Sequence, residues 1–134
     1  MTDVSVVLRV DGLSKAYGGV AAVRDVSFTL SAGEMLALIG PNGAGKTTCF
    51  NLINGQIAPD RGRIVLLGVD TTGMPSRAVG RLGVGRTFQV AATCPSMTVR
   101  ENIQLALIAD RRRTFDMVGS ARRFAVAEAD RLLA

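Results

Sequence analysis

The sequence predicts an α/β chain in which a short apolar strand feeds a phosphate-binding loop and a helix, beside an antiparallel sheet. Three observations carry this prediction. Met35-Leu36-Ala37-Leu38-Ile39 is an apolar run of strand length that ends at Gly40. Gly40-Pro41-Asn42-Gly43-Ala44-Gly45-Lys46-Thr47-Thr48 fits the pattern G-x-x-x-x-G-K-[ST]. Upstream, short apolar segments follow one another in quick succession, as antiparallel neighbours do.

The loop's spacing has a chemical reason. Gly43 and Gly45 let the backbone curl with its N–H groups inward, since no Cβ blocks positive φ angles or the approach of phosphate oxygens. Lys46 brings a point charge to β- and γ-phosphates, and the Thr47 hydroxyl offers one ligand to an octahedral Mg²⁺. A helix starting at Gly45 aims its positive end at the same anion. Residues 47–54 continue as that helix, with Phe50 and Ile53 on one side. The plain structural alternative is a glycine turn with Lys46 solvated. The strand–loop–helix context outweighs it.

The other elements follow in order. Val6-Val7-Leu8-Arg9-Val10 reads as a strand and Asp11-Gly12 as a turn. Tyr17, the one Tyr of a chain without Trp, stands before Gly18-Gly19. It suits stacking on a base face, and equally a half-buried strand position. Val26 to Leu30 alternates apolar and polar as a half-buried strand does. Residues 31–34 turn into the apolar run. Pro59-Asp60-Arg61-Gly62 reads as a turn and residues 63–68 as a strand. Pro75 opens a short helix through about Gly80. Val84 to Gln89 reads as a strand and residues 91–96 as a loop. Thr98 and Glu101 form a capping box ahead of a helical pattern through Leu107. Residues 111–119 break that pattern, and a second helix is predicted from about Ser120. It runs to Leu132-Leu133-Ala134 without a C-cap glycine, so the chain is expected to continue.

The composition fits a globular chain. Hydrophobic residues make up 48% and charged residues 20% of 134, enough for one core and unlike a disordered segment. The N-terminus lacks the charged and apolar regions of a signal peptide, and no apolar run reaches membrane-spanning length. Cytoplasmic placement is the expectation. Cys49 reads as a small buried hydrophobe and Cys94 as a loop thiol; two cysteines at this spacing form neither a metal pair nor a disulfide framework. There is no His, so no mechanism that needs imidazole is available within these residues. The net charge is +5, with Arg111-Arg112-Arg113 as the densest basic run; a solvated helical face is its ordinary explanation.

With these residues assembled, the chain resembles the nucleotide-binding subunit of an ABC transporter, over the N-terminal half of that family's domain. The resemblance implies an A-loop aromatic at Tyr17, stacked on adenine. It implies a Walker A segment at Gly40, Pro41, Asn42, Gly43, Ala44, Gly45, Lys46, Thr47 and Thr48. Gln89, after Arg86-Thr87-Phe88, matches the Q-loop glutamine that touches the Mg²⁺ and attacking-water region. Lys46 and Gln89 are thereby the catalytic candidates, Thr47 and Gln89 the Mg²⁺ ligands, and ATP and Mg²⁺ the cofactors. The family fold is a P-loop NTPase with a RecA-like core, an antiparallel β subdomain and a helical subdomain. Here the β subdomain and core segment would occupy residues 1–96 and the start of the helical subdomain residues 97–134. The family's partners are transmembrane permease subunits and a second nucleotide-binding subunit, which place it on the inner face of the membrane; nucleic acid is not expected.

Gly85-Arg86-Thr87-Phe88-Gln89, Met97 to Ile103, and Phe50-Asn51-Leu52-Ile53-Asn54-Gly55 look like the branched-chain amino acid importers. The departures are as informative. There is no L-S-G-G-Q signature, no apolar run ending in Asp-Glu, and no switch histidine. Positioning of the attacking water is a large part of phosphoryl transfer, so these residues alone are expected to turn over little ATP. Two other readings stand beside this one. A non-catalytic module would bind nucleotide, or present the Gln89 region to a membrane partner, without turnover. A nucleic-acid surface at the Arg-rich end would call for a second nucleotide-binding half and basic inserts, and the sequence holds neither.

Overall fold

The computed structural model describes residues 6–87, 93–111 and 123–134. By contacts the chain divides into two units, Met1–Arg86 and Thr87–Ala134.

The first unit is built on one antiparallel sheet. Its strands are β1 (Val6–Tyr17), β2 (Val20–Ser31), β3 (Arg61–Leu66) and β4 (Val69–Asp70), in the order β2-β1-β3-β4. β1 is hydrogen-bonded on both edges, to β2 and to β3. This is the antiparallel sheet that the closely spaced segments predict.

β1 is one strand where the sequence suggests a strand and a turn. Leu8 and Val10 are buried and Arg9 and Asp11 exposed, as a period of two requires. Continued without interruption, that period would turn Leu13 away from the core. Instead both neighbours skip a residue here. Val10 pairs Phe28 while Leu13 pairs Val26, and Asp11 pairs Arg63 while Ser14 pairs Arg61. The extra residue is a β-bulge at Gly12, whose φ is 58°, and it returns Leu13 to the buried face at 0% exposure. The Gly12 N–H donates to Ser27 Oγ at 2.8 Å. Asp11-Gly12 is thus a bulge and not a chain reversal. Gly62, read as a turn residue, lies inside β3 against it. A Cβ there would stand 2.6 Å from the Gly12 carbonyl oxygen and the Leu13 Cα, so the strand admits only glycine.

Two-residue turns close the hairpins. Gly18 (φ 53°) and Gly19 (φ 84°) join β1 to β2 with both residues at positive φ, the sense that matches strand twist. Leu67 (φ 49°) and Gly68 (φ 78°) do the same for β3 and β4. Against the sheet lies α1 (Lys46–Ile53), whose Cys49 and Leu52 join Leu8, Val10, Leu13, Val23 and Ile64 in one core. A shorter helix, α2 (Ser76–Arg81), follows Pro75 as predicted.

One predicted strand is not a strand, and a second is unpaired over its described part. Residues 35–39 carry no ladder pairing, because the four strands of the described residues pair only with one another. Met35 is 96% and Ile39 88% exposed. Residues 84–87 are likewise unpaired, and Phe88 and Gln89 lie outside the described residues.

The second unit holds α3 (Val99–Asp110) and α4 (Val126–Leu133). The capping box forms: the Glu101 N–H donates to Thr98 Oγ1 at 3.2 Å, and the Thr98 N–H donates to Glu101 Oε2 at 2.8 Å. Arg100 pairs with Asp130 at 2.6 Å, and Arg111 with Glu128, between the two helices. The Gln104 side chain is buried and donates to the Phe124 carbonyl at 2.6 Å. α4 starts later than about Ser120, after Ala125 at φ 48°; residues 112–122 lie outside the description.

Candidate phosphate-binding site

The site begins where α1 begins. Gly45 is the N-cap of α1 at φ 84°, and Gly43 stands at φ 82°. Gly45 is required twice over. Its φ is left-handed, and a Cβ would lie 2.0 Å from the Ala22 carbonyl oxygen of β2. The loop therefore rests directly on the sheet. Gly43 needs only its conformation, since a Cβ there meets nothing within 4 Å.

The first backbone bond into α1 is Cys49 N–H to Gly45 O at 2.8 Å. The N–H groups of Lys46, Thr47 and Thr48 are thus left without helical acceptors, as at any helix start. No side chain caps them and no acidic residue sits in the first turn. The positive end of the helix is uncompensated and suits an anion.

Lys46 folds back over the loop. Its Nζ donates to the Gly40 carbonyl at 2.6 Å and to the Pro41 carbonyl at 2.7 Å. An ammonium has three donors, so one remains for a phosphate oxygen. A cavity of about 250 Å³ opens here, lined by Ala22, Asn42, Gly43, Lys46, Thr47 and Thr48 among others. Of the predicted loop residues Asn42, Gly43, Gly45, Lys46, Thr47 and Thr48 line this cavity, joined by Ala22 of β2, whereas Gly40, Pro41 and Ala44 do not. The donor set suits a polyphosphate: backbone N–H groups, an ammonium, and the hydroxyls of Thr47 and Thr48. A Mg²⁺ carried with the phosphates would find the Thr47 hydroxyl as one hard oxygen ligand.

A second cavity, of about 380 Å³, shares Ala22, Gly43, Gly45 and Lys46 with the first and is lined also by Val23, Arg24, Val26, Leu38, Ile39, Ala44 and Cys49 among others. Burial pushes the Cys49 thiol pKa up, so it packs as a protonated, small hydrophobe.

Tyr17 lines neither cavity. It closes β1 opposite Val20, half exposed. Two residues further along β2, Ala22 lines the phosphate cavity. At about 3.3 Å per strand residue this is a separation of about 7 Å along the strand. A sugar can span that distance between a stacked base and its phosphates. Gln89, the remaining predicted site residue, falls outside the described residues, so its predicted place beside Mg²⁺ has no geometry here.

Three residues missed by the sequence reading hold the site in place. Asp60 accepts from Lys15 Nζ at 2.7 Å and from the Ala16 N–H at 2.8 Å. The Lys15 bond, then the amide, hold its carboxyl below the usual carboxylate range. Lys15 Nζ also stands 5.7 Å from the centroid of the Tyr17 ring, a cation–π distance. Arg86, where the first unit ends, donates to Asn51 Oδ1 of α1 at 2.6 Å and to Gln56 Oε1 at 3.1 Å. Asp60 has a turn-forming neighbourhood in sequence, and that signal hid its second use.

Known proteins match this arrangement. The family described as ABC transporter matches residues 23–132. The high-affinity branched-chain amino acid transport ATP-binding protein LivG of Salmonella typhimurium is 46% identical over 99 residues, covering 74% of this chain and 39% of LivG. The ribose import ATP-binding protein RbsA 2 of Rhizobium etli is 41% identical over 128 residues, covering 96% of this chain and 25% of that protein. Among solved structures, the ADP conformation of MJ1267, an ATP-binding cassette of an ABC transporter, superimposes with a TM-score of 0.70 at 34% identity, covering 77% of this chain and 41% of that one. The chain spans less than half the length of these relatives. With its phosphate loop seated on an antiparallel sheet, the chain belongs to the ABC transporter family.

Proposed function

We propose that this chain is the nucleotide-binding part of an ABC importer ATPase, and that it takes MgATP at the loop of residues 40–48. The observation that carries this is the uncompensated start of α1 under a folded-back Lys46, with Gly45 pressed onto β2. The Gly43 to Thr48 backbone cradles the phosphates and Lys46 neutralises them. Thr47, with Gln89, binds the Mg²⁺ that the phosphates carry. Tyr17 stacks on the adenine. Lys46 and Gln89 serve the transfer step, by charge and by placing water. The helical subdomain begins at about residue 97.

The complete protein couples ATP binding and hydrolysis to solute uptake. It does so with permease subunits and a second nucleotide-binding subunit, on the inner face of the cell membrane. Consistent with a peripheral place, no helix among the described residues is long and apolar enough to cross a membrane. A branched-chain amino acid is the cargo that the resemblance to LivG supports. The similarity to a ribose import protein supports a wider range of solutes, since the fold and loop are shared across cargoes.

The test is equilibrium dialysis of MgATP against the purified chain and its Lys46→Ala variant. Binding that falls tenfold or more in the variant supports the reading. Equal affinity sinks the role given to Lys46. A second reading, a nucleotide-binding module without turnover, is favoured by the absence of an Asp-Glu motif and of His in these residues. Phosphate release by the same chain, lost in Lys46→Ala, would contradict that alternative.

A further inference from the structure

We propose that Lys15 and Asp60 are positioning residues for Tyr17, fixing its ring as a one-faced platform for a nucleobase. The inference rests on the nucleotide reading above. It adds to it the device that orients the base.

The need for such a device is physical. Tyr17 is the last residue of β1 before a two-glycine turn, at a hairpin end where neighbours are few. The pairing of β1 with β3 stops at Ser14 and Arg61, so the β3-facing edge of β1 loses its ladder three residues before Tyr17. An aromatic ring on a frayed strand end would stack on a base only after paying for its own ordering.

Asp60 replaces the missing ladder. Its own N–H donates to the Ser14 carbonyl at 3.0 Å, which seats the residue beside the strand. One carboxylate oxygen accepts the Ala16 N–H at 2.8 Å, holding the backbone next to Tyr17. The other accepts from Lys15 Nζ at 2.7 Å. The same ammonium lies 5.7 Å from the centroid of the Tyr17 ring. The Lys15 ammonium thus meets both the Asp60 carboxylate and the Tyr17 ring, and its side chain is only 19% exposed. One face of the ring is occupied by the cation, while the residue as a whole is 50% exposed. The free face is then the one offered to a flat ligand. The ligand class is a nucleoside triphosphate, with its base on Tyr17 and its phosphates about two strand residues away at Ala22.

The experiment separates base recognition from phosphate recognition. Binding of MgATP and of magnesium tripolyphosphate, which has no base, is measured for the chain and for Lys15→Met, Lys15→Arg and Asp60→Asn. Tyr17 is the only Tyr and there is no Trp, so tyrosine emission reports on this ring alone. The expected result is a three- to tenfold loss of MgATP affinity in Lys15→Met and Asp60→Asn, with tripolyphosphate affinity changed less than twofold. Lys15→Arg, which keeps a cation, restores MgATP binding. Quenching of Tyr17 emission by MgATP falls in step with affinity. An unchanged ratio of the two affinities in Lys15→Met overturns the proposal, as does an equal fall for both ligands. A wild-type chain that binds neither ligand overturns the nucleotide reading itself and the proposal with it.

Discussion

Two apolar runs of similar length meet different fates in the first unit. Val6 to Val10 lies in the middle of a sheet, bonded on both edges, with Val10 fully buried. Residues 35–39 are at least as apolar in composition, yet pair with no strand among the described residues and leave Met35 almost wholly exposed. The difference teaches that an apolar run specifies a wish for burial, not the burial itself. A strand needs neighbours for its N–H and C=O groups as well as for its side chains. β1 finds them in β2 and β3. The run before the phosphate loop finds none here, although the loop that follows it is formed and seated.

The comparison is broken most directly by truncating side chains in both runs. Leu8→Ala removes a buried side chain, 8% exposed, from the first run and is expected to cost about 2–5 kcal/mol. Met35→Ala should stay within about 0.5 kcal/mol. Urea denaturation of the chain measures both, and equal costs would mean that residues 35–39 are packed after all.

The next effect concerns the loop that both regions support. Gly45→Ala must displace the Ala22 carbonyl and adopt a left-handed φ, so MgATP binding is expected to fall at least tenfold. Gly43→Ala carries the conformational penalty alone and should fall less. Titration of both variants ranks them, and the reverse order would mean that the loop does not rest on β2.

A smaller effect lies at the turn after β3. Leu67 is held at φ 49° and is 56% exposed, so Leu67→Asn should raise stability by about 0.5–1 kcal/mol in the same denaturation experiment. A loss would mean that the Leu67 side chain packs on something.

The smallest effect is a pH dependence confined to the sheet. Hydrogen bonds from Thr72, then the Arg63 guanidinium, lower Asp70 from 3.8 to about 2. A carboxylate whose folded pKa lies below its unfolded value contributes stability that is present above about pH 4 and lost as the pH falls toward 2. Asp70→Asn should therefore flatten the acid limb of a stability–pH curve in that window. Residues 35–39 hold no titratable group, so substituting them should leave that limb unchanged.

Much of this was legible in the sequence, and the parts that were not have physical reasons. The phosphate loop could be read because its glycines, Lys46 and Thr47 are fixed by local backbone chemistry. The capping box and Pro75 were legible for the same reason. In sequence the bulge at Gly12 looks like a turn, because a left-handed glycine serves both and only the register of two neighbouring strands distinguishes them. The Lys15–Asp60 pair and the bonds of Arg86 to Asn51 and Gln56 join residues 30 or more apart, a distance over which local pattern carries no signal. The strand predicted at residues 35–39 failed because pairing is a non-local property.

The most direct test of the central claim is residue-resolved. Amide nitrogen–proton spectra of the chain, recorded with and without MgATP, follow the N–H groups of Gly43, Gly45, Lys46, Thr47 and Thr48 individually. Large shifts and slowed hydrogen exchange are expected at these amides, with little change across residues 6–13. Amides at 43–48 that do not move while nucleotide binds elsewhere would contradict it.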